Sequence, residues 1–355
     1  MHQISNTPPL RASKIHLTRA REIKSQLGIF SREGAFGNIF IILTGGAFLT
    51  SMGIYFGASD VEIGLLGAIP FMAQAAQLLA PWLIHLSGAR KRITVLGFLF
   101  ARQIWLLLIP LLFISAAWNL TAFLAIVALS SVLAMVATPG WLSWIADIVP
   151  GRIRGRYFAR RNSAIAITTV AATIIGGLIL DHFKLIGKES VGYSFIIGIG
   201  CIFALISTLM LIKLPEAGKE STKIPHKFAD IIAPLKDQRF RYLLKIFFVW
   251  NMAVGISAIF FAAHMLTNLK MSFLLISIYT ASVALSGIFM NRFWGMVIDK
   301  VGSRTVLAFC AFGISFIPLV WLFPRAGLIW ILGIESIYTG ALWSGFNLAA
   351  FNVPI

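Results

Sequence analysis

Ten stretches of roughly 20 residues, almost free of formal charge, follow one another with little between them, and this pattern leaves few folds open. They lie near residues 34–56, 61–84, 93–115, 120–146, 162–180, 190–212, 246–265, 271–291, 305–324 and 326–351. Apart from Glu62 at a helix entrance, their interiors hold only two formal charges, Arg102 and Glu335. Backbone groups in hydrocarbon must find partners within their own segment or in a closed barrel. The apolar runs are continuous rather than alternating, which disfavours a barrel and predicts helices. The chain is 58% hydrophobic and only 12% charged; a soluble domain carries about 25% charged residues. The expected class is therefore an all-α membrane protein.

The net charge of +17 raises the question of an acidic partner such as nucleic acid. Its distribution answers it. With the N-terminus placed in the cytoplasm, 25 of the 30 Lys and Arg fall on that side and 4 on the other, with Arg102 inside a span. They come as short clusters after every second helix, which is an orientation signal for a bilayer and not a continuous nucleic-acid face. The expectation is a multi-pass protein of a bacterial inner (plasma) membrane with its N-terminus inside. Residues 1–33 form a basic cytoplasmic tail with no apolar run long enough for a signal peptide. Within it Ala20, Ile23, Leu27 and Phe30 recur at helical spacing, as a solvated tail or as an interfacial helix whose Arg19, Arg21 and Lys24 face headgroups. Cys201 and Cys310 fall in spans and read as small core residues, with no metal site or disulfide indicated.

The longest interruption, 213–245, is rich in Lys and Pro and divides a six-helix bundle (34–212) from a four-helix one (246–355). In this linker Phe228, Ile231, Ile232 and Leu235 are spaced as an amphipathic segment. The halves echo one another. Aligning Gly88 with Gly302 gives an offset of 214 residues, and aligning Gly140 with Gly345 sets Trp141 against Phe346 and Asp147 against Asn352 at an offset of 205. Weak internal symmetry of this kind is the mark of a duplicated transporter fold.

The run from Gly295 through Asp299, Gly302 and Arg304 resembles the G-x-x-x-D-[RK]-x-G-x-[RK] loop of the major facilitator superfamily, at that family's second-half position. The first-half copy is degenerate, with Pro81 and His85 in place of the Gly and the acid, while Gly88, Arg90 and Lys91 fit. Asp147 to Pro150, Arg154-Gly155-Arg156 and Arg160-Arg161-Asn162 resemble the basic loop after the family's fourth helix. The likeness implies a two-bundle transporter that exposes a central site alternately to each side. It also implies twelve spans, so a chain stopping at Ile355 is expected to be a fragment truncated after the tenth. Gly176-Gly177 matches only the tail of the family's antiporter motif and lends drug–proton antiport no support.

In the family, helices one, four, seven and ten line the cavity, and this ranks the polar candidates. Glu335 lies about nine residues into the tenth span, where a lone charge costs on the order of 2.5–3.5 kcal/mol. Glu335, Thr339, Trp343 and Asn347 step by four along one stripe, so substrate contact and proton coupling are both chemically available there. Asn38, Asn251 and the second-span residues Gln74 and Gln77 are further candidates, though interhelical hydrogen bonding is the commoner use of such amides. Arg102 reads as structurally paired, and His264 as an interface residue. Gly88, Arg90, Asp147, Arg154, Gly295, Asp299, Gly302 and Arg304 form candidate conformational gates, with Asp299 placed to pair with Arg304 or a facing base. No H-E-x-x-H, G-x-S-x-G or P-loop motif is present, so neither an enzyme nor a primary pump is expected, and no cofactor or metal. The reading is a secondary transporter of a small solute, with protons as a coupling ion and the bilayer as solvent; the alternative is a non-transporting receptor or scaffold on the same fold.

Overall fold

The computed structural model describes residues 10–149, 153–215, 236–325 and 328–352, and no strand occurs among them. The first span is broken: α1 (Leu10–Leu43) stops at Thr44-Gly45, and α2 (Gly46–Tyr55) carries the chain on. Gly46 sits at φ +51°, in the left-handed region that costs an L side chain about 1–2 kcal/mol. The Thr44 hydroxyl donates to the Phe40 carbonyl (2.7 Å) and helps to terminate α1.

The second span runs as α3 (Asp60–Ala73), a 3₁₀ turn (Gln74–Leu78) and α4 (Leu79–Ser87). Glu62 accepts both the N–H and the hydroxyl of Ser59 (2.7 Å each), so the charge at this entrance caps a helix. The third span repeats the device with α5 (Arg90–Gln103), a 3₁₀ turn (Ile104–Leu107) and α6 (Leu108–Leu111). Each tightened turn lies just ahead of a proline, Pro81 or Pro110, whose ring crowds the carbonyl four residues back. Then follow α7 (Asn119–Ile148), α8 (Arg154–Leu185), α9 (Glu189–Lys213), α10 (Gln238–Thr267), α11 (Phe273–Val301), α12 (Ser303–Ser315), α13 (Ile317–Val320) and α14 (Trp330–Asn352).

Among the described residues nine helical stretches are long and apolar enough to cross a membrane. Helix α14, the tenth expected span, has 23 residues, about 34 Å at 1.5 Å per residue. It is long enough but less apolar, because Glu335, Asn347 and several hydroxyls dilute it. The stripe read as a solvated tail or an interfacial helix lies within α1, and its Phe30 is fully buried, edge-on to Trp144 at 5.9 Å. Helix α10 begins at Gln238, ahead of the apolar span Phe248–Thr267. The amphipathic segment of Phe228, Ile231, Ile232 and Leu235 lies outside the described residues, as does Pro150.

Apolar side chains gather into two main cores, one around Phe40, Leu66, Phe123 and Ile196, the other around Trp294, Val306, Cys310 and Leu342. Both cysteines are buried thiols, as expected for core residues. The halves meet where α8 packs on α11 and where α2 and α3 pack on α10. Gly177 makes the first contact possible: a Cβ there would lie 2.6 Å from Ser277 Oγ and 2.9 Å from the Phe273 carbonyl oxygen. Ser277 donates to the Thr173 carbonyl (2.7 Å), and the Asp181 carboxylate accepts the N–H groups of Phe273 (2.8 Å) and Leu274 (2.9 Å). One half thus caps a helix of the other, with a negative charge on the positive end of α11. This end of the molecule is the Asp181 face. The opposite end, with the turns at Gly88 and Gly302, is the Arg90 face.

Candidate functional site: a mid-depth cavity beside a buried Glu–Arg cluster

A cavity of about 510 Å³ opens at mid-depth where α1 breaks. Its walls come from both halves: Thr44 and Gly45 at the break, Pro70 on α3, Trp105 in the third span, Thr138 on α7 and Ile259 on α10. A smaller cavity of about 250 Å³ lies across the break, against α8 and α11. The larger wall is mostly apolar. Arg102 is the charged residue on it among those described.

Arg102 is 8% exposed and Glu33 3% exposed. Arg102 Nη1 donates to Ser207 Oγ (2.9 Å), and the Ser207 hydroxyl donates to Glu33 Oε1 (3.1 Å), so a serine bridges acid and base. Arg161 is the second cation acting on Glu33; its guanidinium lies over the Trp141 ring, 5.0 Å from the centroid. Helix α1 admits both arginines because it lacks side chains beside Glu33. A Cβ on Gly34 would collide with the Arg161 guanidinium, and one on Gly37 would lie 3.2 Å from Arg102 Nη2. The Trp141 indole N–H also acts on the Glu33 carboxylate, while Arg161 Nε and the Tyr157 hydroxyl are buried without hydrogen-bond partners. Burial pushes the Tyr157 hydroxyl up to about 12, against the pull of Arg161, so it stays a donor at neutral pH.

A second polar centre lies inside the other half. Glu335 is 2% exposed; it accepts the Tyr279 hydroxyl at 2.7 Å and the hydroxyl of Thr339 one turn on. No cation lies within ion-pair distance of it among the described residues. Trp343 stacks edge-on to Trp250 (6.1 Å) and Phe346 (5.6 Å), while Asn347 is exposed.

The expected stripe thus stays together only in part, and it does not wall either cavity. The same holds for the other substrate candidates. Asn38 ties α1 to α8 by donating to Thr169 Oγ1 (2.8 Å), Thr168 Oγ1 and the Ile165 carbonyl. Gln77 donates to Met135 Sδ (3.3 Å), and Gln74 and Asn251 are exposed. The physical reason is general: a polar group in an apolar bundle is most cheaply satisfied by a neighbouring helix. Arg102, expected only to pair, pairs and also reaches the cavity. The sequence places Glu33 at the edge of the basic tail, and its pattern gives neither Glu33 nor Asp181 a role. The available signal was Glu33-Gly34-x-x-Gly37, an acid flanked by residues too small to shield it.

Among the gate candidates, Arg90 pairs with Asp147 (2.7 Å) and donates to Ser143 (2.7 Å), all within the first half. Gly88 and Gly302 hold φ of +60° and +83° and turn the chain. Gly295 faces open space. Asp299 and Arg304 are both exposed and do not form the expected pair, because each is solvated at its end of an open turn. Arg154 begins α8, and its side chain lies outside the described set. No group of three His, Cys, Asp or Glu among the described residues could hold a metal ion.

The sequence model of the Major Facilitator Superfamily matches residues 34–355. A comparison with curated proteins finds no match. Among solved structures, the chain is similar to the xylose transporter XylE from E. coli in a partially occluded inward-open conformation, with TM-score 0.61, 15% identity, and coverage of 93% of this chain and 86% of that one. It is similar to the nucleoside transporter NupG, with TM-score 0.60, 16% identity, and coverage of 92% and 80%. It also resembles a bacterial homolog of the human lysosomal transporter Spinster, inward-facing and unoccupied, with TM-score 0.63, 17% identity, and coverage of 94% and 75%. At these identities the likeness is one of fold.

Proposed function

Because this chain belongs to the Major Facilitator Superfamily, and is an integral multi-pass membrane protein, we propose that it is a secondary active transporter moving a small solute by alternating access. The observation that carries the reading is the mid-depth cavity walled by helices of both halves. Its volume falls within the range of small-molecule sites, and its walls can separate if the two bundles, 34–212 and 246–355, rock against each other. The contacts at Gly177, Ser277 and Asp181 close one end. On the positive-inside bias of the basic clusters the Arg90 face is the cytoplasmic one, and on that reading a structure closed at the Asp181 face corresponds to the inward-facing state. Arg90, Asp147, Asp299 and Arg304 then serve the opposite closure, making contacts between halves only in the outward-open state.

Proton coupling belongs to the same reading. Glu335 is a buried carboxyl with two hydroxyl donors and no counter-cation among the described residues, and an intramembrane acid of this kind is a natural proton carrier. Thr339 and Tyr279 hold its two oxygens, and a rearrangement of α14 against α11 would alter that hold.

Alternating access can be tested without knowing the solute. Ser131→Cys places a thiol on the cavity wall, and the two native thiols are buried. A membrane-impermeant maleimide should label it from either side of the membrane in oriented vesicles. Labelling from one side alone would sink the transport reading in favour of a receptor or scaffold.

A further inference from the structure

We propose that the larger cavity takes a small organic anion, with its acidic head on Arg102 and its apolar body between Trp105, Phe71 and Ile259. The inference rests on the transport reading for its role, but its basis is the chemistry of the wall. Arg102 is the charged residue that lines the cavity among those described. Its charge is only half answered, since Glu33 faces two guanidiniums, Arg102 and Arg161, and can neutralise one. Nη1 of Arg102 is spent on Ser207 and Thr208. Among the described residues Nη2 and Nε donate to no protein acceptor; Nη2 packs near Gly37, and the guanidinium lies over the Phe98 ring, 4.6 Å from its centroid. Two N–H groups in a planar fork are what a carboxylate or phosphate takes up in two parallel bonds.

A second positive feature lines the same space. The break at Gly45 and Gly46 is part of the wall, and the first N–H groups of α2, which begins there, have no intrahelical carbonyl to bond. That helix end carries partial positive charge, the arrangement by which interrupted membrane helices meet anionic substrate groups.

The neutral alternative, a polyol or sugar, fits the wall poorly. Four of the wall's hydroxyls are spent on backbone carbonyls: Thr44 donates to Phe40 O (2.7 Å), Thr50 to Gly46 O (3.1 Å) and Thr138 to Ala134 O (2.8 Å) within their own stretches, and Ser130 donates across to Ala101 O on α5 (2.6 Å), which leaves Ser131 as the further wall hydroxyl. The Trp105 indole N–H is also committed, to Ser130 Oγ (2.8 Å). A solute rich in hydroxyls would find acceptor oxygens there but few donors besides Ser131 and Arg102, and would leave much of its hydration unreplaced along the apolar wall. An anion with an apolar body loses little along the wall and meets a fork of free donors at one point.

The test uses isosteric pairs on the purified full chain, benzoate against benzamide and pentanoate against pentanamide, with affinities from calorimetry at neutral pH. The acid of each pair should bind at least about tenfold more tightly than its amide, as expected for a charge-assisted contact over a neutral one. Arg102→Gln should bring the two within about threefold. That variant leaves Glu33 with one cation fewer, so Thr138→Asp is the second probe. It adds a carboxylate to the wall without touching the Ser207 bridge and should abolish the acid preference. Equal affinities in both pairs for the unaltered protein, or an acid preference that survives Thr138→Asp, would overturn the proposal. Uptake of labelled benzoate into proteoliposomes separates the two readings. An acid preference without uptake leaves the anion site standing and counts against transport, whereas uptake of the amides alone does the reverse.

Discussion

Gly34 and Arg161 occupy what would be the same space: the guanidinium lies where a Cβ would be. Gly34→Ala forces the end of the Arg161 side chain to move and should therefore lower stability by about 1 kcal/mol, the low end of the overpacking range, read as a fall in melting temperature of the detergent-solubilised protein. The collision disappears if Arg161 is cut back. The double variant Gly34→Ala with Arg161→Ala should recover a coupling of at least about 0.5 kcal/mol relative to the sum of the single changes; strict additivity would show that the two do not touch. Glu335 makes a second prediction at this scale. Glu335→Gln cannot carry a proton, so solute uptake by the variant should be lost or should no longer vary with external pH. An unchanged pH profile would end the case for coupling there. Two of the three buried charges among the described residues were legible as interruptions in apolar runs, Arg102 and Glu335. Glu33 was not, because it borders a basic tail and only the continuity of α1 carries it inside. What the sequence could not tell is the partner of each charge. Ser207 is 105 positions from Arg102 and 174 from Glu33, and no local pattern reports such a meeting.

At the scale of elements, hydropathy counts spans well and describes their interiors poorly. The ten apolar runs correspond to helical stretches, yet the three irregularities of the first three spans, one break and two 3₁₀ turns, fall inside uncharged sequence. Hydropathy is blind to φ. Pro81 and Pro110 were the visible hints for the two turns, and Gly45-Gly46 for the break. The break has a consequence that can be measured. Gly46 holds φ +51° with open space where a Cβ would be, so Gly46→Ala meets backbone strain and no steric clash. It should cost about 1–2 kcal/mol. Gly198 in α9 is the control: nothing lies within 4 Å of its Cβ position, and its φ is ordinary. Gly198→Ala should be neutral or stabilise by up to about 1 kcal/mol, since a helical glycine gives up more chain entropy than alanine. If the two substitutions move the melting temperature alike, α1 is not held in the broken form.

For the whole molecule, membership of the Major Facilitator Superfamily was legible from the loop at Gly295 to Arg304 and from the succession of apolar runs. The contact that joins the halves was not. Asp181 reads as one acid at a helix end, and its role depends on facing the N-terminus of a helix 92 positions later. It accepts two backbone N–H groups there, and hydrogen bonds to charged groups contribute about 1.5–3 kcal/mol each. Asp181→Ala removes both in the state closed at this face and neither in the state open there. Even if water restores most of that loss, a residual of about 1.4 kcal/mol shifts the ratio of the two states tenfold. Gly177→Leu should act in the same direction by a different cause, since the new side chain meets the Phe273 carbonyl and Ser277. Both variants should speed maleimide labelling of Ser131→Cys from the Asp181 side and slow it from the Arg90 side. A change that appeared in both directions equally would mean a loosened bundle. Labelling rates that stayed put in Asp181→Ala would mean that the state closed at the Asp181 face is held by packing of α8 on α11, with the carboxylate serving only to cap its neighbour.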